Sequence, residues 1–195
     1  MPPRTKTILC FGNSLTAGYG LASSQAYPAL LQSRINAQRL PYQVVNAGVN
    51  GDTSGRGVSR IDFYLDQTID VLVLELGIND LPRGILPSQT ERNLQAIIDK
   101  VRAKNPKCSL VLAGMEISNL IIPKDILAFL SDPLIVAFRN LFGEVARRNN
   151  MAYIPFLLKG VAGVPHLNLY DRVHPNAEGH KILAETVWEV LSAVL

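Results

Sequence analysis

Apolar runs and amphipathic stretches alternate along the whole chain. Ile8 to Phe11 is the right length for a fully buried strand, and Gly12 and Asn13 then end it with residues that tolerate unusual backbone angles. From Gln25 to Gln38, Leu30, Leu31 and Ile35 recur at helical intervals, and Tyr42 to Asn46 reads as a short second strand. Asp70 to Leu76 is the strongest strand, and its near-continuous apolar character implies cover on both faces, the mark of a parallel sheet. The spacing of Leu94, Ile97, Ile98 and Val101 predicts a helix over Ser88 to Lys104, and Ser88 followed by Glu91 has the form of a capping box. Cys108 to Ala113 is a fourth strand, Leu134 to Asn149 a helix, and Met151 to Ile154 a fifth short strand. A final helix from Asn176 to the end would bury Ile182, Leu183, Val187, Val190 and Leu191. Strand and helix alternate with neither repeat nor low-complexity linker, which predicts an α/β fold with a doubly wound, five-stranded parallel sheet and right-handed crossovers.

Composition narrows the function classes. A chain of 195 residues, 48% of them hydrophobic, can bury one sizeable core, so residues 1–195 are expected to form a single domain. The formal charge of +3 is small and the basic residues are scattered, which argues against nucleic acid as a partner. Stable membrane insertion is not expected either, because no run approaches the ~20 apolar residues of a spanning helix. The N-terminal residues lead straight into the first strand without an apolar leader, so the expected compartment is cytoplasmic as written, or periplasmic or secreted if a leader was removed. Cys10 and Cys108 read as two buried thiols more readily than as a disulfide.

Candidate chemistry gathers at strand ends. In an open parallel sheet, ligands bind just beyond the carboxyl ends of the strands, and Ser14 stands one turn past the first of them. Capping the following helix is the other reading of Ser14. Near the far end, Asp171 and His174 lie three residues apart ahead of Pro175, so one turn of chain can bring the carboxylate onto the imidazole and leave its other nitrogen for Ser14. Ester hydrolysis at neutral pH needs those three types: a hydroxyl nucleophile, a base and a carboxylate to orient the base. His166, Asp171, His174 and His180 also invite a metal reading, but His180 falls on the final helix and no H-E-x-x-H or Cys-rich ligand spacing is present, so no metal and no cofactor are expected. Two further loops belong to the same edge: Asn46 to Ser54, with Gly48 and Gly51, and Gly77-Ile78-Asn79-Asp80. The N-H groups of Ser14 and of that glycine loop and the Asn79 amide could together hold an oxyanion, although a turn glycine and a cap residue are the plainer readings of Gly51 and Asn79.

The set resembles a known family. Gly12-Asn13-Ser14-Leu15, the Gly51 loop, Gly77-Ile78-Asn79-Asp80 and Asp171-x-x-His174 fall in the order of blocks I, II, III and V of the SGNH (GDSL) hydrolase superfamily. Gly51-Asp52-Thr53-Ser54, Leu74 to Asp80 and His174-Pro175-Asn176 are similar to its bacterial acyl-thioesterase, lysophospholipase and arylesterase branch. The resemblance covers essentially the whole chain, most weakly between Met115 and Pro133. It implies a flavodoxin-like three-layer α/β/α sandwich and a metal-free serine esterase mechanism, with Ser14 as nucleophile, His174 as base, Asp171 as orienting acid, and Gly51 and Asn79 as oxyanion donors beside Ser14. The family usually has Asp before the serine, where this chain has Asn13, so the local field on Ser14 and His174 should differ.

The resulting expectation is a carboxylic-ester hydrolase acting on small-molecule acyl esters and extending to thioesters and lysophospholipids, in a monomer or small homo-oligomer. Its rivals are a carbohydrate O-acetylesterase with the same triad and a non-catalytic flavodoxin-like binding module. Met115 to Pro133 is long for a connection, rich in aliphatics and interrupted by Pro123. It reads either as a helix completing the core or as part of an acyl-binding wall, with Ile117, Leu120, Ile121 and Phe129 as substrate-binding residues.

Overall fold

The computed structural model describes residues 4–115 and 133–195. Five strands, β1 (Lys6–Gly12), β2 (Tyr42–Gly48), β3 (Val71–Glu75), β4 (Ser109–Ala113) and β5 (Ala152–Ile154), form one all-parallel sheet in the order β2-β1-β3-β4-β5. That is the flavodoxin-like order, whose switch point lies between β1 and β3. Register follows from the buried runs: Ile8 pairs with Val44 on one side and Val71 on the other, and Val111 pairs with Ala152. β2 runs two residues further than its apolar stretch because Ala47 and Gly48 pair with Phe11 and Gly12. Phe11, Leu72, Leu74 and Val111 are completely buried, which requires cover on both faces of the sheet.

Helices α2 (Tyr27–Ala37) and α6 (Ala177–Leu191) pack against each other, and α3 (Ser54–Arg60), α4 (Pro87–Lys104) and α5 (Pro133–Arg148) form a second contiguous group. The predicted stripe of α4, Leu94, Ile97, Ile98 and Val101, is fully buried. Each such side chain removed from water stabilises the fold by about 1.5–3 kcal/mol.

Several sequence expectations need correction. The capping box over Ser88 and Glu91 does not form: α4 starts at Pro87 behind Leu86, because proline's missing N-H and fixed φ suit the first helical turn. α2 starts at Tyr27, since Ser23–Gln25 makes a separate 3-10 turn before Pro28. α6 starts at Ala177, with Asn176 capping it by accepting the N-H groups of Glu178 and Gly179. The 3.6-residue period there buries Leu183, Ala184, Val187, Trp188 and Leu191, leaving Ile182 and Val190 half-buried. Helix α3 carries no apolar stripe that would have announced it and is held by Thr53, whose hydroxyl accepts the Arg56 N-H at 3.2 Å. Cys10 and Cys108 are free thiols. Among the described residues no helix is long and apolar enough to cross a membrane.

Candidate active site

Strand β1 delivers Gly12 to the carboxyl edge of the sheet, and the chain turns there into the one-turn helix α1 (Ser14–Ala17). Asn13 caps α1, its side-chain oxygen accepting the Leu15 N-H at 2.9 Å. Ser14 is thus the first helical residue and not the cap, which leaves its hydroxyl for other partners. A Cβ on Gly12 would lie 2.0 Å from Thr16 Oγ1 and 2.6 Å from Glu75 Oε2, so only glycine fits at the start of the turn. α1 ends at Gly18, whose φ of 78° is a left-handed conformation.

Asp171 and His174 arrive on the loop between β5 and α6. Asp171 Oδ1 accepts the N-H groups of Val173 at 2.9 Å and His174 at 3.0 Å, closing a turn in which Arg172 takes a φ of 58°. Its other oxygen lies 2.7 Å from His174 Nδ1, and His174 Nε2 lies 3.0 Å from Ser14 Oγ. A carboxylate only accepts, so Nδ1 carries the ring proton and Nε2 offers its lone pair to the serine hydroxyl. The loop is anchored by the Leu169 N-H donating to the His174 carbonyl at 2.7 Å and by the Asn176 amide donating to the His166 carbonyl at 2.9 Å. Hydrogen bonds from the His174 N-H, the His174 ring and the Val173 N-H pull the Asp171 carboxyl down from 3.8 to about 2.

The other two predicted loops meet beside Ser14. Asn79 lies in the 3-10 turn Ile78–Arg83 after β3, and its side-chain amide donates to the Asp52 carbonyl at 2.9 Å. An amide has two N-H donors, so one is engaged in tying these loops together. Gly51 immediately precedes Asp52, with a φ of 74°. Buried Asp52 pairs with Arg60, which also donates to the Gly12 carbonyl at 2.9 Å and stacks its guanidinium 3.9 Å from the centre of the Phe11 ring. Asp80, fully buried, accepts from the Ser54 N-H at 2.9 Å, the Ser54 hydroxyl and the Thr90 hydroxyl at 2.7 Å. Both carboxylates fix loops in place around the serine. Asn13, Ser14, Asn79 and His174 share a cleft of about 290 Å³ whose apolar lining includes Leu15, Ile78, Leu81, Met115 and Leu158. Ile117, Leu120, Ile121 and Phe129 lie outside the described residues.

His166 and His180 do not join His174. His166 is exposed in the 3-10 turn Pro165–Leu167. His180 is buried in α6, where its Nδ1 accepts the Tyr27 N-H at 3.1 Å, and burial pushes its pKa down to about 4. Among the described residues no group of three or more His, Cys, Asp and Glu side chains could hold a metal ion.

One residue of the site was overlooked from sequence. Glu75 ends β3 directly under the serine turn, fully buried, and accepts from the Asn13 N-H at 3.1 Å, the Asn13 side-chain amide at 2.6 Å and the Thr16 hydroxyl at 2.8 Å. Burial pushes its carboxyl up to about 7 against the pull of these hydrogen bonds. The available signal was a lone charge in an apolar run, Val71-Leu-Val-Leu-Glu75-Leu76, which strand composition does not explain.

Residues 10–182 match the model of the GDSL-like lipase/acylhydrolase family. The chain belongs to that family. Esterase TesA of Pseudomonas aeruginosa is 36% identical over 191 residues, covering 97% of this chain and 90% of that protein. Thioesterase 1/protease 1/lysophospholipase L1 of Escherichia coli (strain K12) is 32% identical over 180 residues, covering 92% and 80%. A crystal structure of TesA matches the fold with a TM-score of 0.86 at 35% identity, covering 97% of this chain and 100% of that one. The psychrotrophic esterase EstA from Pseudoalteromonas sp., solved inhibited by monoethylphosphonate, matches with a TM-score of 0.84 at 26% identity, covering 96% and 97%. Within the family the α/β/α architecture is thus common to this chain and these esterases.

Proposed function

We propose that the chain is a serine esterase that hydrolyses acyl esters, and that Ser14, His174 and Asp171 are its catalytic residues. The observation that carries this reading is the continuous chain of hydrogen-bonded groups from Ser14 Oγ through the His174 ring to Asp171, at 3.0 and 2.7 Å, opening on an apolar cleft. Ser14 Oγ attacks the ester carbonyl as its proton passes to His174 Nε2, and Asp171 holds the ring and balances its charge. The Ser14 N-H, the Gly51 N-H and the Asn79 amide receive the oxyanion. His174 then gives its proton to the departing alcohol, leaving an acyl group on Ser14. Water, deprotonated by the same nitrogen, releases the acid and restores the serine.

The apolar lining favours acyl chains longer than acetate. Each methylene buried there gains ~0.8 kcal/mol, about a fourfold rise in kcat/KM per carbon until the cleft is full. The relatives named esterase, thioesterase/lysophospholipase and arylesterase support the same substrate class. A series of nitrophenyl esters from acetate to decanoate, run on the parent and on Ser14→Ala, tests the reading. Turnover that rises with chain length and disappears in Ser14→Ala is expected. A steep preference for acetate would favour the O-acetylesterase, and no turnover together with no fluorophosphonate labelling would favour the binding module.

A further inference from the structure

The imidazole of His174 uses both nitrogens, one on Asp171 and one on Ser14, and a third residue meets the ring. Tyr19 lies with its ring centre 4.5 Å from that of His174, the two planes inclined by 41°. Its backbone is tied to the nucleophile, the Tyr19 N-H donating to the Ser14 carbonyl at 3.1 Å. Glycines on either side, with φ of 78° at Gly18 and 76° at Gly20, swing the segment toward the histidine loop. A Cβ on Gly20 would come within 2.7 Å of Leu169 Cδ1, so the approach to that loop is close. Tyr19 therefore bridges the serine turn and the loop that carries Asp171 and His174, while 44% of it remains exposed.

We infer that Tyr19 is a positioning residue whose aromatic face steadies the His174 ring and stabilises the imidazolium it becomes when Ser14 attacks. The inference rests on the proposed roles of Ser14 and His174. An aromatic face attracts a cation within about 6 Å of its centre, and the neutral imidazole gains its charge only as the proton leaves the serine. The interaction is thus stronger in the transition state than in the ground state, which places its effect in kcat and not in KM. Tyr19 is absent from the lining of the cleft beside Ser14, consistent with a role toward the histidine and not toward substrate.

Phosphonylation by a fluorophosphonate isolates this step: the Ser14 Oγ-P bond forms, the P-F bond breaks, fluoride leaves and the serine proton passes to His174 Nε2. Tyr19→Phe, Tyr19→Leu and Tyr19→Ala are compared with the parent for labelling rate, for kcat and KM on nitrophenyl butyrate, and for melting temperature. Because the residue is half-exposed, all three variants should melt close to the parent. Leu and Ala should lower kcat and the labelling rate about two- to fivefold with KM unchanged, and Phe, which keeps the aromatic face, should restore most of that loss. Leu as fast as the parent, Phe as slow as Leu, or a change confined to KM overturns the inference. Labelling that persists in Ser14→Ala overturns instead the assignment of Ser14 on which it rests.

Discussion

Two carboxylates flank the serine turn, and their surroundings differ in one respect above all. Asp171 stands on a surface loop and accepts from two backbone N-H groups and the His174 ring. Glu75 stands beneath the turn and accepts from the Asn13 N-H, the Asn13 amide and the Thr16 hydroxyl. With donors of similar number and quality, Asp171 is pulled down to about 2 and Glu75 is pushed up to about 7. The Asp171 side chain keeps 40% of its surface in water and Glu75 keeps none. Dehydration outweighs the hydrogen bonds at Glu75, whereas at Asp171 the hydrogen bonds together outweigh dehydration. An exposed carboxylate stays ionised and can orient a base. A buried one is suited to binding a turn together and becomes sensitive to pH.

The sharpest break between the two is in turnover. Asp171→Asn places an amide donor against His174 Nδ1, favours the tautomer with a proton on Nε2, and so removes the acceptor that Ser14 needs. The same change costs about 10⁴ in kcat in the serine-protease triad, and a loss of ~10² to 10⁴ is expected here with little change in melting temperature. Turnover within twofold of the parent would deny Asp171 its role. Asn79→Ala calibrates the scale, because losing one oxyanion donor typically costs ~10² to 10³ in kcat with KM little changed. A normal kcat in that variant would remove Asn79 from the site.

The legibility of these residues in the sequence divides along the same line. Asp171 and His174 lie in one turn of chain, so their pairing was visible as spacing, and Ser14 was visible as a polar residue at the end of a buried run. The five strands were visible because a sheet covered on both faces demands near-continuous apolar residues. Contacts between distant positions were not. Asn13 and Glu75 are 62 residues apart, and neither alone signals the other. Tyr19 reads as a loop aromatic until the fold brings His174 against it. Helix α3 is rich in glycine and serine and depends on Thr53 and on packing against α4, so no periodicity marks it. The expected field effect of Asn13 on His174 also changes meaning, because its amide turns toward Glu75.

Stability should separate the carboxylates in opposite directions. A carboxyl raised in the folded state binds its proton more tightly there, so the contribution of Glu75 is fully present below about 4.5 and is lost as pH rises to about 7. The loss approaches ~3 kcal/mol if the whole shift is expressed. Asp171, lowered in the folded state, contributes above about 3.8 and loses that contribution as pH falls toward about 2, weakly because the group is half-exposed. In Glu75→Gln the first dependence should vanish, flattening the melting temperature between about pH 4.5 and 7, with a smaller effect on kcat than Asp171→Asn produces. Parallel slopes for parent and variant would mean that Glu75 is not the titrating group.

The smallest effect on turnover is expected from Asn13→Asp. Judged from sequence, the new carboxylate adds a negative charge beside the nucleophile, favours the protonated imidazole and moves the acid limb of the pH-rate profile upward. The structure divides the side chain: its oxygen accepts the Leu15 N-H at 2.9 Å and lies 3.4 Å from Ser14 Oγ, while its amide donates to Glu75 Oε1 at 2.6 Å. An aspartate in that position would face Glu75 carboxylate to carboxylate, and two such groups at contact retain one proton between them. The pair then carries a single negative charge where Glu75 in the parent, raised to about 7, is largely neutral on the acid side, so a charge is added but is shared with Glu75 beneath the turn. The acid limb should therefore move upward, by less than a full charge aimed at His174 would move it. The cost appears at high pH, where the shared proton is drawn off and the serine turn is forced apart, so melting temperature and kcat should fall together between about pH 7 and 9 while the parent holds steady. Rates and melts across about pH 5 to 9 decide the matter: a full upward shift of the acid limb with no alkaline loss would mean that the added charge acts on His174 directly and that Glu75 does not share its proton.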